Sequence, residues 1–132
     1  MRVVSRDCER PNGMARTADQ QKLYSADSGP CTLWVYEIAA DGALKNGRIF
    51  ADMSSVKTGV PDGLKTDEDG NVWVAGPDGI WVFNALGERL GIIALGEGAT
   101  NCCWGGDFRD LHVTAGSCVY RIATNMNGTR TY

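Results

Sequence analysis

The sequence repeats one motif three times, and this repetition limits the possible fold more than any other feature. Each repeat opens at Asn or Asp among small residues, passes through a turn and continues into an apolar segment that ends in Ala. The openings are Asn12, Asp62 and Asn101, which are 50 and 39 residues apart. Repeats of about 40 to 50 residues are typical of the four-stranded blades of a β-propeller. The sequence therefore predicts an all-β fold with three consecutive blades.

Turn dipeptides separate the short apolar segments within the repeats. Asp-Gly pairs stand at 41–42, 69–70 and 78–79, and they favour tight hairpins because Gly adopts positive φ and Asp tolerates it. A β-sandwich of about eleven strands is the structural alternative, but it does not account for the repeated openings. The apolar segments have the composition of strands and lie at residues 32–38, 72–75, 80–83, 111–115 and 118–122.

Three blades do not close a ring, since closed propellers have about four to eight blades. Residues 2–5 predict a short strand with no blade of its own, and the third repeat supplies only about three strands. We therefore expect half of a six-bladed β-propeller, completed by a two-fold homodimer in which each N-terminal strand fills the partner's third blade. The predicted single domain, 1–132, divides into a spare outer strand at 1–8 and blades at 9–58, 59–98 and 99–132.

Composition excludes some classes of partner. The hydrophobic share of 43% is typical of a globular domain. With a net charge of −3 and scattered basic residues, the chain has no nucleic-acid footprint, and it has no segment near the about 18 apolar residues of a membrane span. Five cysteines, an odd number without CxxC spacing, argue against a disulfide framework and favour a cytoplasmic location.

Four motifs resemble the calcium-dependent gluconolactonase/regucalcin family, and the match, to the family's C-terminal half, covers essentially all 132 residues. They are Arg10-Pro11-Asn12-Gly13, the segment 23–28, Pro61-Asp62-Gly63 and the segment 100–106, in the family's order and spacing. The resemblance implies a divalent cation in the channel, usually Ca²⁺, held by a Glu of the first blade, an Asn and an Asp. It assigns Asn12 and Asp62 as metal ligands, with Asp62 also the catalytic general base.

The resemblance also implies a difference, because the family's first three blades and their Glu ligand have no counterpart in this sequence. Asn101 opens the third repeat and is expected to contact substrate in the channel. Asn12 and Asp62 offer the oxygen donors that Ca²⁺ prefers, although Asn-Gly and Asp-Gly are also ordinary turn residues. We expect a metal-dependent hydrolase of a small sugar lactone or similar ester, with a channel site shared between subunits. The alternatives are a non-catalytic propeller fragment that binds a cation or small polyol, and an inactive truncated remnant.

The remaining notable residues are predicted to have structural roles. Residues 67–71 resemble a calcium loop but lack its twelve-residue pattern, so a hairpin turn is favoured. Cys102 and Cys103 are adjacent, point to opposite faces of a strand and are expected to be buried and unreactive. His112 lies in an apolar segment and is expected to pack rather than catalyse. Four tryptophans are expected to fill the space between blades: Trp34, Trp73, Trp81 and Trp104.

Overall fold

The computed structural model describes residues 1–130, which form eleven β-strands and no helix. No helix that could cross a membrane occurs among these residues. The all-β prediction is confirmed. The strands are β1 (Pro11–Arg16), β2 (Lys22–Asp27), β3 (Thr32–Ile38), β4 (Leu44–Asp52), β5 (Leu64–Thr66), β6 (Val72–Gly76), β7 (Gly79–Phe83), β8 (Arg89–Ala94), β9 (Ala99–Gly105), β10 (Asp110–Ala115) and β11 (Cys118–Ala123).

The strands form three separate antiparallel sheets, each a simple meander. The first sheet has the order β1-β2-β3-β4, the second β5-β6-β7-β8, and the third the order β9-β10-β11. Three sheets in succession exclude the β-sandwich alternative, which would need two. We call β1, β5 and β9 the inner strands, because each is one edge of its sheet and β5 contacts both β1 and β9.

The turn between β5 and β6 is built around one buried carboxylate. Asp67 accepts hydrogen bonds from the backbone N of Asn71 at 2.8 Å, from Asn71 Nδ2 at 2.8 Å and from Trp73 Nε1 at 2.9 Å. Gly70 takes a φ of +83°, as a tight turn requires. The prediction of a hairpin turn at residues 67–71 is therefore confirmed.

The sheets pack face to face, so each has a forward face toward the next sheet in the chain and a backward face toward the preceding one. The forward face of the first sheet and the backward face of the second enclose one apolar core. The second core lies between the second and third sheets, where the rings of Trp73 and Trp104 meet edge to face with centroids 5.2 Å apart. Trp73, Trp81 and Trp104 thus lie between sheets as expected.

Within residues 1–130, two faces have no sheet packed against them. One is the forward face of the third sheet, where Cys103, Thr114 and Val119 are exposed. The other is the backward face of the first sheet, where Trp34 lies stacked on Tyr36 with ring centroids 6.1 Å apart. Trp34 therefore departs from the expectation that all four tryptophans fill the space between sheets, because no preceding sheet is present to cover it.

Residues 1–8 lie against the backward face of the first sheet and form no strand. Ser5 Oγ lies 3.3 Å from the Tyr36 hydroxyl, and Cys8 Sγ lies 3.7 Å from the same hydroxyl. The strand expected at residues 2–5 is thus absent in the single chain, because a strand needs a hydrogen-bonded neighbour and this segment pairs with none of the described strands. Its pairing with a second copy remains a prediction.

A C-terminal segment, residues 127–130, ties the second sheet to the third at the ends of the inner strands. The carbonyl oxygen of Thr66 accepts hydrogen bonds from Thr129 N at 3.0 Å and from Trp104 Nε1 at 2.8 Å. Gly128 N donates to Phe108 O at 2.7 Å, and a side chain at Gly128 would collide with the Trp104 ring. The segment fixes the ends of β5 and β9 relative to each other.

Candidate functional site

The three repeat openings lie side by side at the starts of the inner strands. Gly13 lies directly against the backbone carbonyl of Asp62, and Gly63 lies directly against Asn101. A Cβ atom at either glycine would collide with its neighbour, so only Gly permits this approach. Gly63 N also donates to Thr100 O at 3.0 Å. The sequence repeat therefore becomes a row of polar residues along adjacent strand ends.

Asn12 has a defined amide orientation. Its Nδ2 donates to Ser28 Oγ at 3.2 Å, and Ser28 Oγ in turn donates to Pro61 O at 2.8 Å. This chain of hydrogen bonds joins the first repeat opening to the segment just before Asp62. It leaves Asn12 Oδ1 without a hydrogen-bond partner within residues 1–130, so that oxygen is free to act as a ligand.

Asp62 is fixed through its backbone and has an uncommitted side chain. Its N–H donates to Ala75 O at 2.9 Å, while Gly63 O accepts from Ala75 N at 2.8 Å. The half-buried carboxylate makes no hydrogen bond or ion pair with any described residue. A carboxylate in this condition can bind a cation or accept a proton.

Asn101 is exposed and differs from Asn12 in its hydrogen bonding. Its Oδ1 accepts from Cys102 N at 2.9 Å, so the amide nitrogen is the group left for a ligand. The residue also lines a groove of about 140 Å³ with Cys103, His112 and Val119. Asn101 therefore offers a donor, which suits a substrate hydroxyl better than a cation.

The donor chemistry of these residues fits Ca²⁺, but their number is small. Asn12 Oδ1 and the Asp62 carboxylate are the hard oxygen ligands that Ca²⁺ prefers, yet Ca²⁺ takes about six to eight oxygens. Within the described part of the chain, no group of three or more His, Cys, Asp or Glu side chains could hold a metal ion. The chain by itself supplies only part of a coordination sphere.

Ser28 and Asp27 contribute to the site without having been assigned to it from the sequence. The Asp27 carboxylate accepts from Arg10 N at 2.8 Å, Glu9 N at 2.8 Å and Gly29 N at 3.2 Å. Burial alone would raise the pKa of Asp27, but these N–H groups outweigh it and lower that pKa below its ordinary value. The bonds fix the segment that leads into Asn12. In the sequence, the polar pair Asp27-Ser28 directly after an apolar segment was the feature that could have indicated this role.

The two adjacent cysteines have different environments. Cys102 is buried as predicted, and burial raises the pKa of its thiol to about 12, which leaves little of the reactive thiolate. Cys103 is exposed, so the expectation that it is buried is wrong. It lies on the forward face of the third sheet, where no neighbouring sheet covers it. His112 is half-buried on that same face, with its ring packed toward Gly105.

Comparison with known proteins identifies the family. Residues 1–117 match the family described as "SMP-30/Gluconolactonase/LRE-like region". This match covers most of the chain, and it agrees with the row of Asn12, Asp62 and Asn101 at adjacent strand ends. The chain belongs to this gluconolactonase/regucalcin family, which confirms the resemblance seen in its motifs.

Individual relatives agree with this assignment. A gluconolactonase of Zymomonas mobilis is 30% identical over 135 residues, covering 96% of this chain and 38% of that protein. A regucalcin of Danio rerio is 33% identical over 110 residues, covering 79% of this chain and 37% of that protein. The gluconolactonase structure from Xanthomonas campestris has a TM-score of 0.79 and 33% identity over 89% of this chain and 39% of its own. The chain thus spans about two fifths of the length of these relatives.

Proposed function

We propose that this chain hydrolyses a small sugar lactone or a similar ester, using a divalent-cation site to which Asn12 and Asp62 contribute. The observation that carries the proposal is the uncommitted carboxylate of Asp62 beside the opening that holds Asn12. Family membership and the similarity to a gluconolactonase support the substrate class.

The proposed chemistry assigns one role to each residue of the row. Asn12 Oδ1 and the Asp62 carboxylate would hold the cation, which when bound supplies Lewis-acid polarisation of the lactone carbonyl. Asp62 accepts a proton from water as the water oxygen attacks the carbonyl carbon. The ring C–O bond then breaks and its oxygen takes up the proton that Asp62 accepted, which gives the hydroxy acid and restores the Asp62 carboxylate. The amide nitrogen of Asn101 donates to a hydroxyl of the sugar.

The proposal includes an assembly, because the single chain supplies too few ligands. We propose that the three sheets are half of a six-bladed propeller and that a second copy completes the ring about a two-fold axis. An Asn or Asp of the second copy would then stand where the family has its Glu. Where Asn takes this place, the site carries less negative charge, because Asn is neutral, and it should bind Ca²⁺ more weakly.

The test is Ca²⁺ titration by calorimetry, together with a lactone-hydrolysis assay, on the wild type and on Asp62→Ala. We expect weak Ca²⁺ binding and slow, metal-dependent hydrolysis in the wild type, and loss of both in the variant, because one group serves as ligand and base. Asp69→Ala is the matched control, since Asp69 is an exposed carboxylate in the turn between β5 and β6. The control should keep the wild-type rate, and hydrolysis that survives Asp62→Ala would overturn the catalytic assignment.

A second candidate is non-catalytic binding of a cation or small polyol. It is favoured by the fact that Asp62 is the sole carboxylate among the three repeat openings. The same carboxylate would therefore have to serve as metal ligand and as general base. Binding of Ca²⁺ or of a polyol such as sorbitol, without hydrolysis in a folded protein, would select this candidate.

A further inference from the structure

The forward faces of the three sheets can be compared position by position, because the strand registers are equivalent. Leu33 pairs across its hairpin with Ala26, Ile80 with Ala75, and Val119 with Thr114. Leu33 and Ile80 are 0% exposed beneath the next sheet, whereas Val119 is 71% exposed. Val119 therefore occupies the position that is buried between sheets elsewhere in the chain.

The next cross-strand pair on the forward face is more polar in the third sheet than in the other two. Tyr24 pairs with Val35 in the first sheet and Trp73 with Val82 in the second. These two pairs are apolar or amphipathic and pack against the next sheet. In the third sheet the same positions hold His112 and Arg121. On this forward face Val119 is the exposed large apolar residue, and Thr114, His112 and Arg121 are its polar neighbours.

The backward face of the first sheet has a more polar side chain at two comparable positions. Ser25 stands where the second and third sheets have Val74 and Val113, and Tyr36 stands where they have Phe83 and Ile122. The chain thus has one unpaired forward face and one unpaired backward face. At these positions both are more polar than the paired faces.

The backward face of the first sheet also has a groove that can receive a side chain, and it has a hydrogen-bond donor without a partner. A groove of about 270 Å³ lies between residues 4–8 and the first sheet, lined in part by Met14, Leu23 and Ser25. Trp34 Nε1 is shielded from solvent and has no hydrogen-bond partner among the described residues. Its equivalent in the second sheet, Trp81 Nε1, donates to Pro77 O at 2.8 Å. The Trp34 N–H and the apolar groove beside it would suit a docking surface that offers hydrogen-bond acceptors and an apolar side chain.

We propose that the forward face of the third sheet docks on the backward face of the first sheet of a second copy, with Val119 as its apolar anchor in this groove. The inference rests on the proposed two-fold assembly and adds the chemistry of its interface. Polar groups that are buried must exchange water for hydrogen bonds with little net gain, whereas the sheet contacts inside the chain bury apolar side chains. The closing interface is therefore weaker than the internal ones, and the dimer dissociates on dilution while each chain stays folded.

Sedimentation velocity of the purified chain over a dilution series tests the proposal. We expect a monomer–dimer equilibrium for the wild type. Val119→Asp should raise the dissociation constant by about tenfold or more, because it places a carboxylate in the apolar anchor position. Leu86→Asp is the matched control, since Leu86 is 78% exposed in the turn between β7 and β8, away from both faces. Its dissociation constant should equal that of the wild type.

A second variant is expected to strengthen the dimer, so its effect could not come from misfolding. His112→Tyr gives the third sheet the residue that the first sheet has at Tyr24 and should lower the dissociation constant severalfold. A wild type that stays monomeric at its highest soluble concentration, or a Val119→Asp dimer as tight as the wild type, would overturn the docking inference. Lactone hydrolysis measured on the same samples separates the two proposals, because hydrolysis by a stable monomer would leave the proposed activity in place.

Discussion

At the scale of single residues, two aspartates beside the short strand β5 have different surroundings. Asp62 precedes the strand and Asp67 follows it. Asp67 is fully buried and its carboxylate accepts three hydrogen bonds. Asp62 keeps its carboxylate free of partners among the described residues. The first is committed to holding a turn, and the second is available for chemistry. This contrast is the residue-level basis of the proposed function.

The contrast predicts different effects of the same substitution on stability. Asp67→Asn should lower the free energy of unfolding by about 1–3 kcal/mol, because the amide cannot accept all three bonds and leaves a buried group unsatisfied. Asp62→Asn should change it by no more than about 0.5 kcal/mol. Urea denaturation of both variants at one protein concentration checks this. Equal losses in the two variants would contradict the assignment of Asp67 as the structural acid.

The cysteines predict a pattern of chemical modification. With a pKa of about 12, Cys102 has almost no thiolate at pH 8, and it is buried as well. Cys103 and Cys118 are exposed, so iodoacetamide should modify them first in dilute protein, and Cys102 only after unfolding. Mass spectrometry of peptides after timed alkylation checks the order. Early modification of Cys102 would show that β9 opens in the native state.

At the scale of elements, Gly13 and Gly63 allow the inner strands to approach each other closely. Gly13→Ala should lower the free energy of unfolding by about 1–3 kcal/mol, because its new methyl group would meet the backbone carbonyl of Asp62, which cannot turn aside. Gly91→Ala in β8 is the control, since nothing lies within 4 Å of its added Cβ. Urea denaturation compares the two. A Gly13→Ala variant as stable as Gly91→Ala would mean that β1 and β5 are farther apart than described.

The elements also show what a sequence can and cannot predict. The turn at 67–71 was predictable because its signal is local. The neighbourhood of Asn12 and Asp62 was predictable because repeated units place equivalent residues together. The exposure of Cys103 and the missing strand at residues 2–5 were not, because each depends on whether another sheet lies beside it. A strand's own sequence does not contain that information, since its two faces alternate in the same way whether or not both are covered.

At the scale of the whole molecule, the proposed dimer links association to stability. The midpoint of thermal unfolding should rise with protein concentration, because mass action favours the associated folded state. Deletion of residues 1–6 should abolish this dependence, since it removes part of the groove that receives the second copy. Differential scanning calorimetry at several concentrations checks both points. A deletion variant that remains a well-folded dimer would contradict the role of this segment.

The contact between Trp73 and Trp104 gives the molecule an optical signal of its own. Two indole rings with centroids 5.2 Å apart and planes inclined at 77° are close enough for their electronic transitions to couple, and their skewed arrangement makes that coupling chiral. The pair should therefore produce a circular-dichroism couplet of opposite lobes in the far ultraviolet. Because one ring belongs to the second sheet and the other to the third, the couplet reports on that single junction. Its disappearance during heating would time the separation of the third sheet without any added dye or label.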